Sequence, residues 1–407
     1  HRWGTSTRPP VQKSYTEYKT DAKEWHRGLA PISKPTFDRM VERLERELSR
    51  NRGGARAANA AEAPSDVEDR VIKPLRPFEL ATCDHHKVDL SCVVARKGGR
   101  KYTLRPWLTV LRDIYTGDVL AFWLSFANPS RVACACVLRS CLRRHGRLPE
   151  GIVVDHGAEF KSVYFRSLLA HLEIELVLRP ASHPRFGSEA ERFFGLLKTL
   201  WVSNRPGNWA NLKEVRGVSG SHRPEKVAEL TIFDLLNELN DFLGWHSRWG
   251  ANADERAPQE LMTEGLERFP FSGKKVEYNQ EFELLTAVDV SKFAFDPRRG
   301  LKIGPTWFWG SALANPDLPR GSILVRKEPE DPSLVYALVR GDWRRCYSSK
   351  APSLAASDPV HRLASAVLES TTRLRFLEAI GESEAELVLH QREAEARMSE
   401  KTQVVQA

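Results

Sequence analysis

Three carboxylates, Asp84, Asp155 and Glu191, stand at positions from which they could act together. Asp84 heads a run of alternating apolar residues and is expected at the start of a strand. Asp155 closes the short apolar run Gly151-Ile152-Val153-Val154. Glu191 falls in the first turn of a helix-like stretch that opens at Ser188, with 35 residues between it and Asp155. Hard divalent cations take oxygen ligands. Carboxylates that converge on one edge of a sheet can hold two such ions about 3.5–4 Å apart, one serving the attacking oxygen and one the leaving oxygen of a phosphoryl transfer. The ordinary alternative is three solvated surface acids.

Neighbouring residues compete for the same roles. Asp89 lies five residues past Asp84. On a continuous strand that odd spacing turns it to the opposite face, which suits a structural role. Asp113 is expected to hold a hairpin turn, and Glu159 to stabilise the loop after Asp155. Glu189 and Glu191 are two apart and do not share a helix face, so either one, but not both, belongs to the site. His85, His86 and His156 invite a zinc reading, but adjacent strand residues point to opposite faces, and no zinc site is expected.

The elements that must position these groups follow from the periods. Three runs after residue 76, broken at Gly98-Gly99 and at Thr116-Gly117-Asp118, read as a meander of three strands. A helix is expected from Pro129 to about His145, a buried strand at Gly151 to Asp155, a helix from Ser162 to Leu172, a strand from Ile174 to Leu178 and a helix from Ser188 to Val202. The order β-β-β-α-β-α-β-α predicts an α/β fold, with late parallel strands covered by helices. Residues 226–265 read as helical, 275–350 as a small all-β unit, and 355–400 as helical again.

The chain has 407 residues, room for two or three domains. It carries 61 basic and 53 acidic residues, a net charge of +8. That balance favours a polyanionic partner. No apolar run approaches the roughly 18 residues of a membrane helix, so no membrane is expected. The chain opens His1-Arg2-Trp3 without Met, and is expected to be a fragment lacking upstream domains. Six cysteines form no CxxC pair. They fit a reducing cytoplasm, without a disulfide framework.

Within residues 1–50, basic and helical in character, Ser33-Lys34-Pro35-Thr36-Phe37 reads as a capped helix start. A DNA recognition helix and a plain amphipathic helix fit equally well. Residues 51–75 are Gly/Ala-rich and then acidic, a linker by composition.

Three blocks carry a resemblance: Asp84-His85-His86-Lys87-Val88-Asp89, Val154-Asp155-His156-Gly157-Ala158-Glu159-Phe160, and His183 to Phe194. They resemble the DDE transposase and retroviral integrase superfamily, in particular its Mu transposase, TnsB and TniA branch. Arg105-Pro106-Trp107-Leu108 and Asp113-Ile114-Tyr115-Thr116-Gly117 resemble that branch too. The resemblance spans roughly residues 76–350. It implies a ribonuclease-H-like core, a mixed five-stranded sheet with flanking helices. The core is expected over 76–268, with a helical DNA-binding segment at 1–50, a small β-barrel at 269–350 and a helical or flexible tail at 351–407.

The resemblance also implies roles. Asp84, Asp155 and Glu191 would be catalytic and would ligate two Mg²⁺ or Mn²⁺ ions, Glu191 being preferred because the family's glutamate directly precedes Arg192. The expected activity is 3′-end cleavage of transposon ends and their strand transfer into target DNA. Lys34, Arg39, Arg43, Arg185, Arg192 and Lys198 are candidate DNA contacts. Double-stranded DNA, further copies of the chain and an AAA+ ATPase regulator meeting the tail are the expected partners, in a bacterial, DNA-associated, cytoplasmic setting. A catalytically inactive end-binding assembly protein and a nuclease on the same fold are the alternatives. Three positions depart from the family pattern: His156 stands where Asn is usual, His86 where Thr is common, and Ser188 lacks the Lys-Gly that precedes this position in relatives. The tryptophans and phenylalanines of 298–340 are expected mostly to fill the barrel, with a basic, aromatic nucleic-acid surface as the other reading.

Overall fold

The computed structural model describes residues 10–25, 30–41, 73–97, 100–179, 188–209, 223–250, 256–314, 318, 321–355 and 359–369. Arg43, Arg185, the linker residues 51–72 and the tail beyond 369 lie outside them. The chain divides into two compact units, one formed by His1–Ile72 with Arg179–Glu189 and the other by the remainder.

In the first unit, helix α1 (Val11–Trp25) is followed by helix α2 (34–41). Ser33 caps α2: its carbonyl accepts from Phe37 N at 2.9 Å, and its hydroxyl lies 2.9 Å from that of Thr36. Tyr15, Tyr18 and Phe37 pack as a trio with centroids 5.4 to 6.2 Å apart. Tyr15 donates to Ile32 O and Tyr18 accepts from Ile32 N, each at 3.0 Å. Lys34 pairs with Asp38 one turn on.

The second unit is built on a five-stranded sheet of order β5-β4-β1-β6-β7. Its strands are β1 (Leu80–Lys87), β4 (Trp107–Asp113), β5 (Val119–Ser125), β6 (Gly151–Val154) and β7 (Glu175–Leu178). β1 runs antiparallel to β4 and parallel to β6. Strands β5 and β6 are buried along their whole length, as expected where helices cover both faces. Helices α3 (Arg131–His145), α4 (Val163–His171) and α5 (Ser188–Leu200) supply the crossovers and cover. This is the ribonuclease-H-like arrangement. The turn between β4 and β5 is held as expected by Asp113, whose carboxylate accepts from Thr116 N at 2.8 Å, Thr116 Oγ1 at 2.9 Å and Phe78 N at 2.7 Å.

Two sequence expectations need correcting. Asp84 is the fifth residue of β1 rather than its start. The first run is also not one strand, because the chain leaves the sheet after Lys87. Residues 92–104 then form a separate ribbon of β2 (Cys92–Lys97) and β3 (Arg100–Leu104). The cause is local. Val88 N bonds to the carbonyl of Pro106 at 2.9 Å, and Pro106 has no N–H with which to continue a ladder. Leu90, fully buried, bridges to Asn208 instead.

Helices α6 (Pro224–Val227), α7 (Ile232–Trp249) and α8 (Pro258–Arg268) follow. α7 opens with a capping box between Thr231 and Asp234. After α9 (Gln280–Thr286), strands β8 (Val288–Asp296), β9 (Gly300–Ile303), β10 (Thr306–Trp309), β11 (Gly321–Lys327), β12 (Leu334–Val339) and β13 (Asp342–Ser348) close into a barrel. Its interior holds Phe295, Leu301, Phe308, Val325, Val335 and Cys346. The tryptophans do not fill it, contrary to expectation. Trp309 is 41% exposed, and Trp307 lies under the cations of Arg299 and Lys302 at 5.7 and 5.8 Å. The alternation of Trp307, Phe308 and Trp309 on one strand decides this: the middle ring faces inward and its neighbours face out.

After α10 (Ala351–Ala355) comes α11 (Pro359–Glu369). Ala364, Val367 and Leu368 of α11 are buried in the main core, so the tail begins as part of it. All six cysteines are free and buried. Among the described residues no helix is long and apolar enough to cross a membrane.

Candidate active site

Strands β1 and β6 are in parallel register, with Leu80 beside Gly151, Ala81 beside Ile152 and Thr82 beside Val153. Carrying that register two places on sets Asp155 beside Asp84. Adjacent strands are about 4.8 Å apart and partners in register share a face, so the two carboxylates start from neighbouring positions on one side of the sheet. Asp155 is exposed just past the end of β6, and its Oδ1 accepts from Gly157 N at 2.8 Å.

Which side that is follows from the neighbours of Asp84. His86, two residues on and therefore on the same face, stacks on Phe194 of α5 with centroids 4.7 Å apart. Cys83 and His85 take the other face, where His85 Nε2 lies 4.0 Å from Cys134 Sγ on α3. Glu191 precedes Phe194 by three residues and shares its helix face. The helix that carries Glu191 is thus applied to the face of β1 that carries Asp84. Among the described residues no three His, Cys, Asp or Glu side chains are gathered closely enough to hold a metal ion. The register of β1 and β6 brings the two aspartates toward one another, and Glu191 is exposed on the helix applied to that face. The donor chemistry fits a hard divalent cation.

Asp89 has ion-pair partners on two elements. It takes the guanidinium of Arg105 and the ammonium of Lys198, the latter at 2.8 Å. Burial works against its charge, but the Lys198 hydrogen bond and the two cations outweigh it and hold its carboxyl below the usual range. Residues 88–91 are not in β1, so strand parity does not decide which way Asp89 points; its two cations do. Lys198 lies seven residues beyond Glu191, on the same side of α5, and is engaged by Asp89 in this structure. Arg192 is exposed.

On the opposite side, His85 is held between Thr109 Oγ1 at 2.7 Å from Nδ1 and the ring of Phe160 at 5.0 Å. Burial pushes its imidazole down to about 4, against the pull of the Asp155 charge, so it is neutral at pH 7. Its Nε2 faces Glu159 Oε1 at 3.6 Å. Sequence reasoning gave neither this contact nor the stack on Phe194. His86 and Phe194 are far apart in the chain, and a histidine reads as polar rather than as a stacking ring.

Comparison with known proteins bears on what this arrangement is. Residues 82–207 match the family described as the TnsB C-terminal domain. The transposase for transposon Tn552 of Staphylococcus aureus is 27% identical over 139 residues, 32% of this chain and 28% of that protein. The chain is similar to these transposase sequences over part of its length. It spans little more than a quarter of the length of that curated relative.

The matched stretch contains Asp84, Asp155 and Glu191, and stops before the barrel. Among solved structures, the HTLV-2 integrase catalytic core domain in complex with magnesium overlays 47% of this chain and 99% of its own at 16% identity, with a TM-score of 0.29. The simian T-cell lymphotropic virus intasome in complex with the PP2A regulatory subunit B56 gamma covers 84% of this chain and 97% of its own at 13% identity, with a TM-score of 0.36. Both overlays are loose.

Proposed function

We propose that this chain is a transposase that cleaves DNA at the 3′ ends of a mobile element and transfers those ends into target DNA. The observation that supports the reading is the parallel register of β1 and β6, which, carried two places on, brings Asp155 beside Asp84 on the face over which α5 lies. These three carboxylates would hold two Mg²⁺ or Mn²⁺ ions. When bound, the ions supply Lewis-acid stabilisation of charge at the reacting phosphate.

The remaining steps belong to the chain's own residues. Gly157 N fixes the rotamer of Asp155 through Oδ1. Asp89 and Lys198 hold α5 against the strand side of the site. Glu191 completes the carboxylate set from α5 when DNA engages. Arg192, directly after Glu191, and Arg185, six residues before it, would meet the DNA backbone, while Lys34, Arg39 and Arg43 would do so from the N-terminal segment. The outward Trp307, with Arg299 and Lys302 over it, suits a nucleic-acid surface on the barrel. Assembly of several copies on DNA, an AAA+ regulator engaging residues beyond 369, and action in the bacterial cytoplasm complete the reading.

The test is strand transfer of candidate transposon ends, with and without Mg²⁺ or Mn²⁺. Asp155→Asn is expected to abolish joining while leaving end binding largely intact. Undiminished joining by that variant would refute the assignment. End binding with no metal-dependent product in the wild type would mark an assembly protein instead. Cutting of an RNA–DNA hybrid without end specificity would mark a nuclease.

A further inference from the structure

Asp155 has a carboxylate neighbour that the triad does not use. Glu159 folds back over Gly157. A Cβ placed on Gly157 would collide with Glu159 Oε1 and stand 3.0 Å from Asp155 Oδ1. Two carboxylate oxygens thus lie within 3.0 Å of one point, and only glycine leaves the space between them open. Like charges at this range repel. Among the described residues, the side chain facing the Glu159 carboxylate is the His85 ring, Nε2 lying 3.6 Å from Oε1. The His85 side chain is 6% exposed and that of Glu159 17%, so water screens them little. His85 is in turn immobilised by Thr109 and by the stack on Phe160.

We propose that Glu159 is a positioning residue for the Asp155 end of the site. Backed by His85, it holds a second negative charge against Asp155, so that this end attracts a divalent cation more strongly than Asp155 alone would. The inference rests on the reading of Asp84, Asp155 and Glu191 as the metal carboxylates. It concerns affinity for the ion rather than the chemical step. Partners of this kind commonly change metal affinity 10–100-fold.

The experiment titrates Mn²⁺ against the purified full chain, with free ion read by electron paramagnetic resonance, beside the metal dependence of strand transfer. Glu159→Gln keeps the shape and removes the charge. It is expected to weaken Mn²⁺ binding about tenfold. The metal concentration for half-maximal strand transfer should rise by the same factor, while the rate at saturating metal is retained. The melting temperature without metal should not move. Gly157→Ala tests the geometry independently. The nearest neighbours of the added methyl are the flexible carboxylate end of Glu159 and the Asp155 oxygen, so the Glu159 carboxylate is displaced and the same shift is expected. His85→Phe keeps the stack and removes both nitrogens, and should move Mn²⁺ affinity in the same direction. If Glu159→Gln binds Mn²⁺ like the wild type while Asp155→Asn does not, the proposal is wrong and the site reading stands. If Asp155→Asn also binds Mn²⁺ like the wild type, the site reading fails and takes the proposal with it.

Discussion

The ammonium of Lys198 lies 2.8 Å from Asp89 Oδ2, tying α5 to the segment that leaves β1 immediately beyond the candidate site. Lys198 is two helical turns past Glu191, so this pair sets how α5 lies over Asp84 and His86. Arg105 meets the other oxygen of Asp89, so one carboxylate joins three pieces of chain.

Lys198→Met is therefore expected to lower strand transfer more than it lowers stability. The pair is partly exposed, with side-chain exposures of 39% and 23%, and water screens such pairs. The expected stability loss is about 0.5–1 kcal/mol, read by urea denaturation. Asp89→Asn should cost more, because it leaves both Lys198 and Arg105 without an anion. The Asp89 carboxyl is held below its ordinary value, so its contribution is complete above the unfolded value of 3.8 and fades as pH falls below it. A variant whose strand transfer equals the wild type at matched DNA binding would show that α5 needs no such tie.

A second prediction concerns the joint between core and barrel. Arg139 on α3 is 1% exposed and pairs with Glu328, which is 5% exposed, in the turn between β11 and β12. It also donates to Thr286 Oγ1 at 2.5 Å and to the carbonyl of Glu283 at 2.7 Å. Removing one member of a buried pair leaves the other uncompensated, typically costing about 3–5 kcal/mol. Arg139→Met should destabilise the protein on that scale in urea melts. The double variant Arg139→Met/Glu328→Leu should recover most of the loss. A double variant as unstable as the single one would mean that packing around Arg139, rather than its charge, is what matters.

A third prediction is a pH effect. His246 on α7 is 6% exposed, packs edge-on to Phe193 at 5.3 Å, and has no hydrogen-bond partner for Nδ1 among the described residues. Burial, helped by the Arg112 charge, pushes its imidazole down to about 4 from 6.5. The unfolded chain then binds more protons than the folded one between these values. Stability is full above pH 6.5 and falls as pH drops toward 4. At pH 5 the contribution of this ring is on the order of 1–2 kcal/mol. His246→Leu should flatten the loss between pH 7 and pH 5 by that amount, with urea midpoints at the two pH values as the measurement. An unchanged slope would place the acid sensitivity elsewhere, His85 being the next group to test.

Much of the core was legible in the sequence because its signals are local. The run Gly151 to Val154 ends at a carboxylate, the Asp113 turn carries its own donors in Thr116, and the helix at Arg131 stops at Gly146 in the left-handed conformation, φ 65. The hairpin after β1 was not legible. Residues 85–94 alternate well enough for a single strand, and the break depends on Pro106 and Asn208, both distant in sequence. Strand parity therefore placed Asp89 on a strand that is not there, and the ion pairs with Arg105 and Lys198 now describe it. Arg139 escaped for a related reason. An arginine set among apolar helix residues reads as a surface residue until Glu328, far along the chain, arrives to meet it.

The alignment of Asp84 with Asp155 has a consequence for how such a chain can vary in length. It depends on a count of residues from Leu80 to Asp84 and from Gly151 to Asp155, and on nothing between. The ribbon of β2 and β3 can lengthen, shorten or be replaced without touching that count. One residue gained or lost inside either five-residue stretch shifts the pairing by one and sends one aspartate to the wrong face. Length variation at this site is therefore free in the ribbon and closed in two short strands.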